Sequence, residues 1–180
     1  MHKYLVIAPV TIARNGTGIF GVAPKARLTI YRVFTPTANP NQITASNEHI
    51  IVAINDCIKW NQEHNNEDHI RIIHLSFGSP VDDENVHKAI QEAVKNEILV
   101  ICGTGNEGDS RSGGDGSPDK DEYSYPAGYP EVISVAAIKL DRTFVAFSNT
   151  NLDNDLAAPG FDILSTIPND NDNGDWLCYT

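Results

Sequence analysis

Ile98-Leu99-Val100-Ile101-Cys102-Gly103-Thr104-Gly105-Asn106-Glu107-Gly108 decides how this chain is read. Five apolar residues followed by a glycine have the length and composition of a buried strand. The chain then breaks into a glycine-rich loop carrying one amide and one acid. An Asn held at the mouth of a strand can aim its side-chain N–H at a developing oxyanion, worth about 3–4 kcal/mol in acyl-transfer enzymes. A nucleophile, a base and an orienting acid should accompany it, and the surrounding sequence does not obviously supply them.

Upstream of this run, the pattern alternates between strand and helix. Residues 27–34 (Arg-Leu-Thr-Ile-Tyr-Arg-Val-Phe) alternate imperfectly and predict a strand, followed by a Thr/Pro/Asn-rich connection over 35–44. Ile50, Ile51, Ile54, Cys57 and Ile58 recur three and four apart, predicting a helix with Ser46 as its N-cap. Residues 70–75 (Ile-Arg-Ile-Ile-His-Leu) predict a second strand ending in a Ser76-Phe77-Gly78-Ser79-Pro80 turn. A second amphipathic helix starts near Asp82 or Asp83, with Val86, Ala89, Ile90, Ala93 and Val94 on one stripe. Strand and helix alternating through short connections imply right-handed βαβ units and a mainly parallel α/β sheet. Ligands bind such sheets at the carboxyl ends of the strands, so Ser76-Phe77-Gly78 and the Gly103–Gly108 loop should face one cleft. Downstream, residues 109–124 read as an exposed polar loop, with strands at 132–138, 143–147 and 162–167.

The bulk properties narrow the function. A chain of 180 residues fits one domain, 1–180, and 41% hydrophobic residues is an ordinary globular content. No apolar run approaches the roughly 20 residues needed to cross a bilayer. The start, Met1-His2-Lys3 before Tyr4-Leu5-Val6-Ile7-Ala8-Pro9-Val10, is short for a signal peptide, interrupted by Pro9, and lacks a small-residue cleavage site. A net charge of −11 opposes the basic footprint that nucleic acid requires. Cys57, Cys102 and Cys178 are odd in number and lack metal spacing, which fits buried thiols in a reducing cytoplasm.

Most isolated motifs carry little. Gly16-Gly18-Gly21 and Gly103-Gly105-Gly108 both fit G-x-G-x-x-G, yet neither is followed by a helical apolar stripe, so no nucleotide is expected. Asn169-Asp-Asn-Asp-Asn-Gly174 opens like an EF-hand loop, but its twelfth position is Thr180 instead of Glu. The six histidines include no H-x-x-x-H pair that would suggest zinc.

Several segments taken in order are far more specific. They include Gly16-Thr-Gly-Ile-Phe-Gly-Val-Ala-Pro-Lys-Ala26, Ile73-His-Leu-Ser-Phe-Gly78, Ala93-Val-Lys-Asn-Glu-Ile-Leu-Val-Ile-Cys102 and Gly105-Asn-Glu-Gly-Asp109. Ser124-Tyr-Pro-Ala-Gly-Tyr-Pro-Glu-Val-Ile-Ser-Val135, Phe147-Ser-Asn-Thr-Asn151 and Asp155-Leu-Ala-Ala-Pro-Gly-Phe-Asp-Ile-Leu-Ser-Thr166 complete the series. Together they resemble the subtilisin family of serine endopeptidases, nearest to the intracellular subtilisins of Gram-positive bacteria. The resemblance runs from about residue 11 to 168. It implies a three-layer α/β/α architecture, here incomplete. It gives Asn106 the oxyanion-hole role and Ser76, Phe77 and Gly78 a backbone that pairs with an extended peptide. Gly103, Thr104 and Gly105 would form one wall of the pocket before the scissile bond, narrowed slightly by Thr104. Glu107 would lie near that pocket and favour basic side chains, or stand as a solvated acid.

The same resemblance exposes what these residues do not contain. The family's Asp-(Thr/Ser)-Gly, His-Gly-Thr-His and Gly-Thr-Ser-Met-Ala motifs are not found in the 180 residues. In subtilisin itself, loss of the whole triad leaves only about 10³–10⁴-fold acceleration over water. The expectation is a domain truncated at both ends and inactive alone. The alternatives are a pseudoprotease that binds or regulates through the same cleft, and one part of a split protease completed by other chains or by a homo-oligomer. Because the family's aspartate strand is central, a gap should open between strands 27–34 and 70–75, exposing apolar surface. That gap would be filled by rearrangement, a partner or a sister chain. For Ca²⁺, the resemblance places Asn15 at a ligand position of a shortened loop, implying weak or no binding. A second candidate combines backbone oxygens of Ala127, Tyr129 and Val132 with Asp155 or Asp153, residues that a turn followed by a strand explains as well.

Overall fold

The computed structural model describes residues 21–36, 43–108, 122–164 and 178–179. Its centre is a parallel four-stranded sheet in the order β3-β4-β5-β6. These are β3 (Ile72–Leu75), β4 (Leu99–Gly103), β5 (Ile133–Ile138) and β6 (Leu156–Pro159). Two small antiparallel pairs flank it: β1 (Phe34–Pro36) with β2 (Ile43–Ala45), and β7 (Ile163–Leu164) with β8 (Cys178–Tyr179).

Both predicted helices form where the sequence places them. Helix α1 (Asn47–Glu63) is N-capped by Ser46, whose Oγ accepts from His49 N at 3.3 Å. Helix α2 (Glu84–Lys95) is capped by Asp83, whose Oδ1 accepts from Asn85 N and Val86 N at 2.9 and 3.0 Å. Such caps satisfy backbone donors that the first turn leaves orphaned. The in-register pairs Ile73↔Val100 and Leu75↔Cys102 turn one face of the sheet toward these helices. Val86, Ala89, Ile90 and Ala93 of α2 and Ile50, Ile54, Cys57 and Ile58 of α1 complete that core. Cys57 and Cys102 are buried and form no disulfide, as their isolation in sequence suggests, and burial pushes the Cys102 thiol up to about 12.

The mainly parallel α/β sheet agrees with the sequence reading. The described residues supply a helical layer on one face. The opposite face carries Ile72 and Leu99 at 52% and 53% exposure, the uncovered apolar surface expected of an incomplete member.

Other boundaries differ. Residues 27–33 belong to no sheet; only Phe34–Pro36 is strand, and it pairs with β2 in what reads as a connection. A ladder needs a neighbour, and an apolar cavity of about 700 Å³ separates residues 26–33 from β3. Residues 143–147 are not a strand, because Asp141 Oδ1 accepts from Thr143 N at 2.9 Å and Arg142 has φ 68°, which turns the chain. Only an isolated bridge, Ile138↔Phe144, remains there. Of the predicted strand 162–167, β7 is present and residues 165–167 lie outside the described residues. Much of the predicted polar loop also lies outside them, but Ser124 at its end is buried.

Candidate active site

Because β3 and β4 are adjacent and parallel, the segments leaving their carboxyl ends emerge side by side. Ser76-Phe77-Gly78 follows Leu75 directly, and Thr104-Gly105-Asn106-Glu107 follows the last residue of β4. The two segments expected from sequence to face each other thus leave neighbouring strand ends on the same side of the sheet.

The first wall is held from behind. Phe77 is half-buried and packs edge-on to Phe34 with ring centroids 5.6 Å apart. Ser79 N donates to Tyr125 O at 2.9 Å, and Tyr125 N returns a bond to Ser79 O at 2.8 Å. This bridge presses the 122–130 segment against Gly78 so closely that a Cβ there would collide with the Ser124 hydroxyl. Ser76 and Gly78 are exposed, and their backbone groups bond to no other described residue. An extended peptide could use those groups as strand partners.

The second wall is fastened by a residue that the sequence reading gave no role. Asn149, 2% exposed, accepts at its side-chain Oδ1 from Glu107 N at 2.7 Å and Gly108 N at 2.9 Å. Its backbone also receives the Thr104 hydroxyl at 2.9 Å and donates to Gly105 O at 3.1 Å. Thr104 is thus 3% exposed with its hydroxyl engaged beneath the loop. Gly105 has φ +116°, and an added Cβ would meet Asn149 Nδ2 at 2.5 Å, so only glycine fits this turn without strain. Gly103 is exposed, with open space where a Cβ would project.

Asn106 is exposed at the crest of this clamped loop. Its backbone N–H donates to Glu107 Oε2 at 3.0 Å. Glu107 is exposed as well, and the same oxygen lies 3.5 Å from Asn149 Nδ2, so the carboxylate also braces the loop. The only sequence hint of the clamp was a polar Ser-Asn pair directly after the apolar residues 144–147.

A short network anchors the 129–131 segment to α2. Tyr129 stacks on His87 with centroids 4.0 Å apart, and its hydroxyl donates to Asp82 Oδ1 at 2.8 Å. Glu131 lies 2.8 Å from His87 Nε2 and accepts from Gln91 at 2.9 Å. Burial opposes the charged form of Glu131, but these bonds win and hold its carboxyl below the usual value.

Of the two cation candidates, Asn15 lies outside the described residues. Asp155 lines a cavity of about 470 Å³ with Ala127, Tyr129, Val132, Asp153 and Asn154. Asp155 Oδ2 is already engaged by Ser134 N and Oγ at 2.8 and 2.9 Å. Asn154 Oδ1, in contrast, is buried without a hydrogen-bond partner. A buried amide oxygen lacking a donor beside carboxylates suits a hard cation. Among the described residues, no three His, Cys, Asp or Glu side chains cluster as metal ligands.

The profile of the Subtilase family matches residues 8–178 of this chain. The chain belongs to the subtilase family. It is 40% identical over 167 residues to an intracellular serine protease of Paenibacillus polymyxa, covering 93% of this chain and 45% of that protein. It is 42% identical over 161 residues to the major intracellular serine protease of Bacillus subtilis, covering 88% and 45%. Identity to subtilisin E of Bacillus subtilis is 29% over 167 residues, covering 93% and 39%. The chain spans less than half the length of these relatives. Among the described residues, no helix is long and apolar enough to cross a membrane.

Proposed function

We infer that this subtilase chain holds the peptide-binding and oxyanion-stabilising half of a proteolytic site, and that the 180 residues alone bind extended peptides without hydrolysing them. The observation that carries this reading is the pairing of two features at one strand end. The unpaired backbone of Ser76 and Gly78 stands beside the loop whose crest is Asn106. The three triad motifs, meanwhile, are not found in the sequence. A peptide laid along Ser76-Phe77-Gly78 would gain main-chain hydrogen bonds, and the Asn106 amide would donate to the carbonyl oxygen presented at the loop. Gly103, Thr104 and Gly105 would border the side chain before that carbonyl, with Glu107 favouring a basic one.

The names of the relatives favour a cytoplasmic location for this chain. Calcium, if taken up, would sit at Asn154 and Asp155, where its role would be to stiffen the Tyr129–Val132 segment.

Calorimetric titration with extended peptides of varied sequence tests the binding half. Measurable affinity that Gly78→Pro abolishes is expected; no affinity for any peptide removes this reading. Peptide hydrolysis blocked by a serine-directed inhibitor would contradict the inactive half.

A further inference from the structure

The two strand-end segments are not joined to each other directly. Beyond the β3–β4 ladder, no backbone hydrogen bond links Ser76–Ser79 with Thr104–Gly108 among the described residues. Each segment is held from its own side instead. Ser79 exchanges both backbone bonds with Tyr125, at 2.9 and 2.8 Å, which fixes the first segment to the strap formed by residues 122–125. Asn149 Oδ1 accepts from Glu107 N and Gly108 N at 2.7 and 2.9 Å, which fixes the second segment to residue 149.

These two supports meet at one side chain. Glu122 opens the strap, and its Oε2 accepts from Thr150 N at 2.8 Å and from Thr150 Oγ1 at 3.3 Å. Thr150 directly follows Asn149, whose own backbone N–H donates to Gly105 O at 3.1 Å. Successive main-chain N–H groups at 149 and 150 therefore serve the 104–108 loop and the strap in turn. A carboxylate accepting a main-chain N–H makes a charge-assisted bond, roughly twice as strong as a neutral one. Glu122 and Thr150 are both half-buried, which limits competition from water. Two further bonds run beside this one: Asn151 Nδ2 donates to Glu122 O at 3.3 Å, and the Tyr123 hydroxyl donates to Asp153 Oδ2 at 2.6 Å. Both engage side chains of residues farther from Asn149, whereas the carboxylate grips the main chain next to it. A continuous line of bonds thus runs from Ser79 through Tyr125, Glu122, Thr150 and Asn149 to Glu107 and Gly108, the kind of connected network that carries positional coupling.

We propose that Glu122 is a positioning residue, whose carboxylate ties the support of Ser76–Gly78 to the support of the Asn106 loop and so sets the spacing of the two segments along a bound peptide. A peptide touching both segments binds more tightly when their spacing is fixed in advance, because less ordering is left to the binding step. That gain in affinity rests on the peptide-binding reading above, whereas the tie itself rests on the hydrogen bonds. The tie needs reach more than charge. Glu122→Gln keeps an acceptor oxygen at the same length, Glu122→Asp keeps the charge but is one methylene short of Thr150 N, and Glu122→Ala removes both.

Amide hydrogen exchange of the full chain, with calorimetric titration of an extended tetrapeptide, tests the tie. Glu122→Ala and Glu122→Asp should each speed exchange of the Ser79, Tyr125, Glu107 and Gly108 amides together by about two- to tenfold, the range for one lost hydrogen bond. Affinity for the tetrapeptide should fall by about the same factor, and Glu122→Gln should keep exchange and affinity within about twofold. The core amides of Val100 and Ile90 should not change, which separates the tie from a general loss of stability. Should Glu122→Ala not fold, the Asp and Gln variants decide. Faster exchange on one side only, or at Thr150 alone, overturns the proposal, as does a Gln variant as impaired as the Asp variant. Unchanged affinity in Glu122→Asp, where the unaltered chain binds the peptide, overturns it too. Failure of the unaltered chain to bind the tetrapeptide would remove the peptide-binding reading, and the exchange pattern would still decide whether Glu122 joins the two supports.

Discussion

Asn149→Ala removes one acceptor that serves two backbone donors, and its cost can be worked from their burial. Gly108 N–H is buried and would lose its partner at 2.9 Å, leaving an unsatisfied donor worth about 1–3 kcal/mol. Glu107 N–H, bonded at 2.7 Å, is partly solvated, so water replaces its partner at about 0.5–1.5 kcal/mol. The sum is about 1.5–4.5 kcal/mol, a large share of the roughly 5–15 kcal/mol that keeps a domain folded. The backbone bonds of Asn149 to Thr104 and Gly105 survive the substitution, so the loss belongs to the side chain. Urea denaturation should show a midpoint lowered by about 1–2 M, taking a slope near 2 kcal/mol per M. Exchange of the Glu107 and Gly108 amides should accelerate. Asn149→Asp keeps the acceptor but sets a second carboxylate near Glu107 Oε2, so it should recover part of the loss, and more so in high salt. An unchanged midpoint with unchanged exchange at both amides would show that Asn149 does not hold the 104–108 loop.

Three further outcomes follow from the same geometry. Gly105→Ala should cost about 1–3 kcal/mol in denaturation, because its backbone lies at φ +116°, where L-residues are strained. Gly78→Ala should destabilise through collision with the Ser124 hydroxyl, and the double variant with Ser124→Ala should regain most of the loss; purely additive effects would refute that contact. Glu131→Gln should lower the thermal midpoint most above pH 4.5. A carboxyl held below that ordinary value contributes its stability there and loses it as pH falls through the lower folded value, so the two proteins should converge in acid. A gap between their midpoints that persists to low pH would contradict the assignment.

The elements that were legible in sequence are those whose signals are local. Ser46 and Asp83 announce their helices because capping needs only the next three residues. Ile98–Cys102 announces β4 because a short continuous apolar run ending in a glycine-rich turn suits a strand, although only Val100 and Cys102 of β4 are buried. Residues 27–34 misled because their alternation is real: Tyr31 and Val33 are buried while Leu28 is 41% exposed, yet no ladder forms without an adjacent strand. Strand β6 went unread since Leu156-Ala-Ala-Pro159 has weak β-propensity and owes its form to pairing with β5. In the loop after β4, Asn106 stands out in sequence by its glycine-rich setting. Asn149 could not, because its two amide partners lie 42 and 41 residues away in sequence.

One titration bears most directly on the central claim. An isotope-labelled sample of the 180-residue chain, mixed with an extended tetrapeptide carrying a basic third residue, reports binding and cleavage together. The account predicts saturable amide shifts at Ser76, Gly78 and Asn106 with the peptide recovered intact. Shifts confined to other surfaces, or accumulation of cleaved peptide, would contradict it.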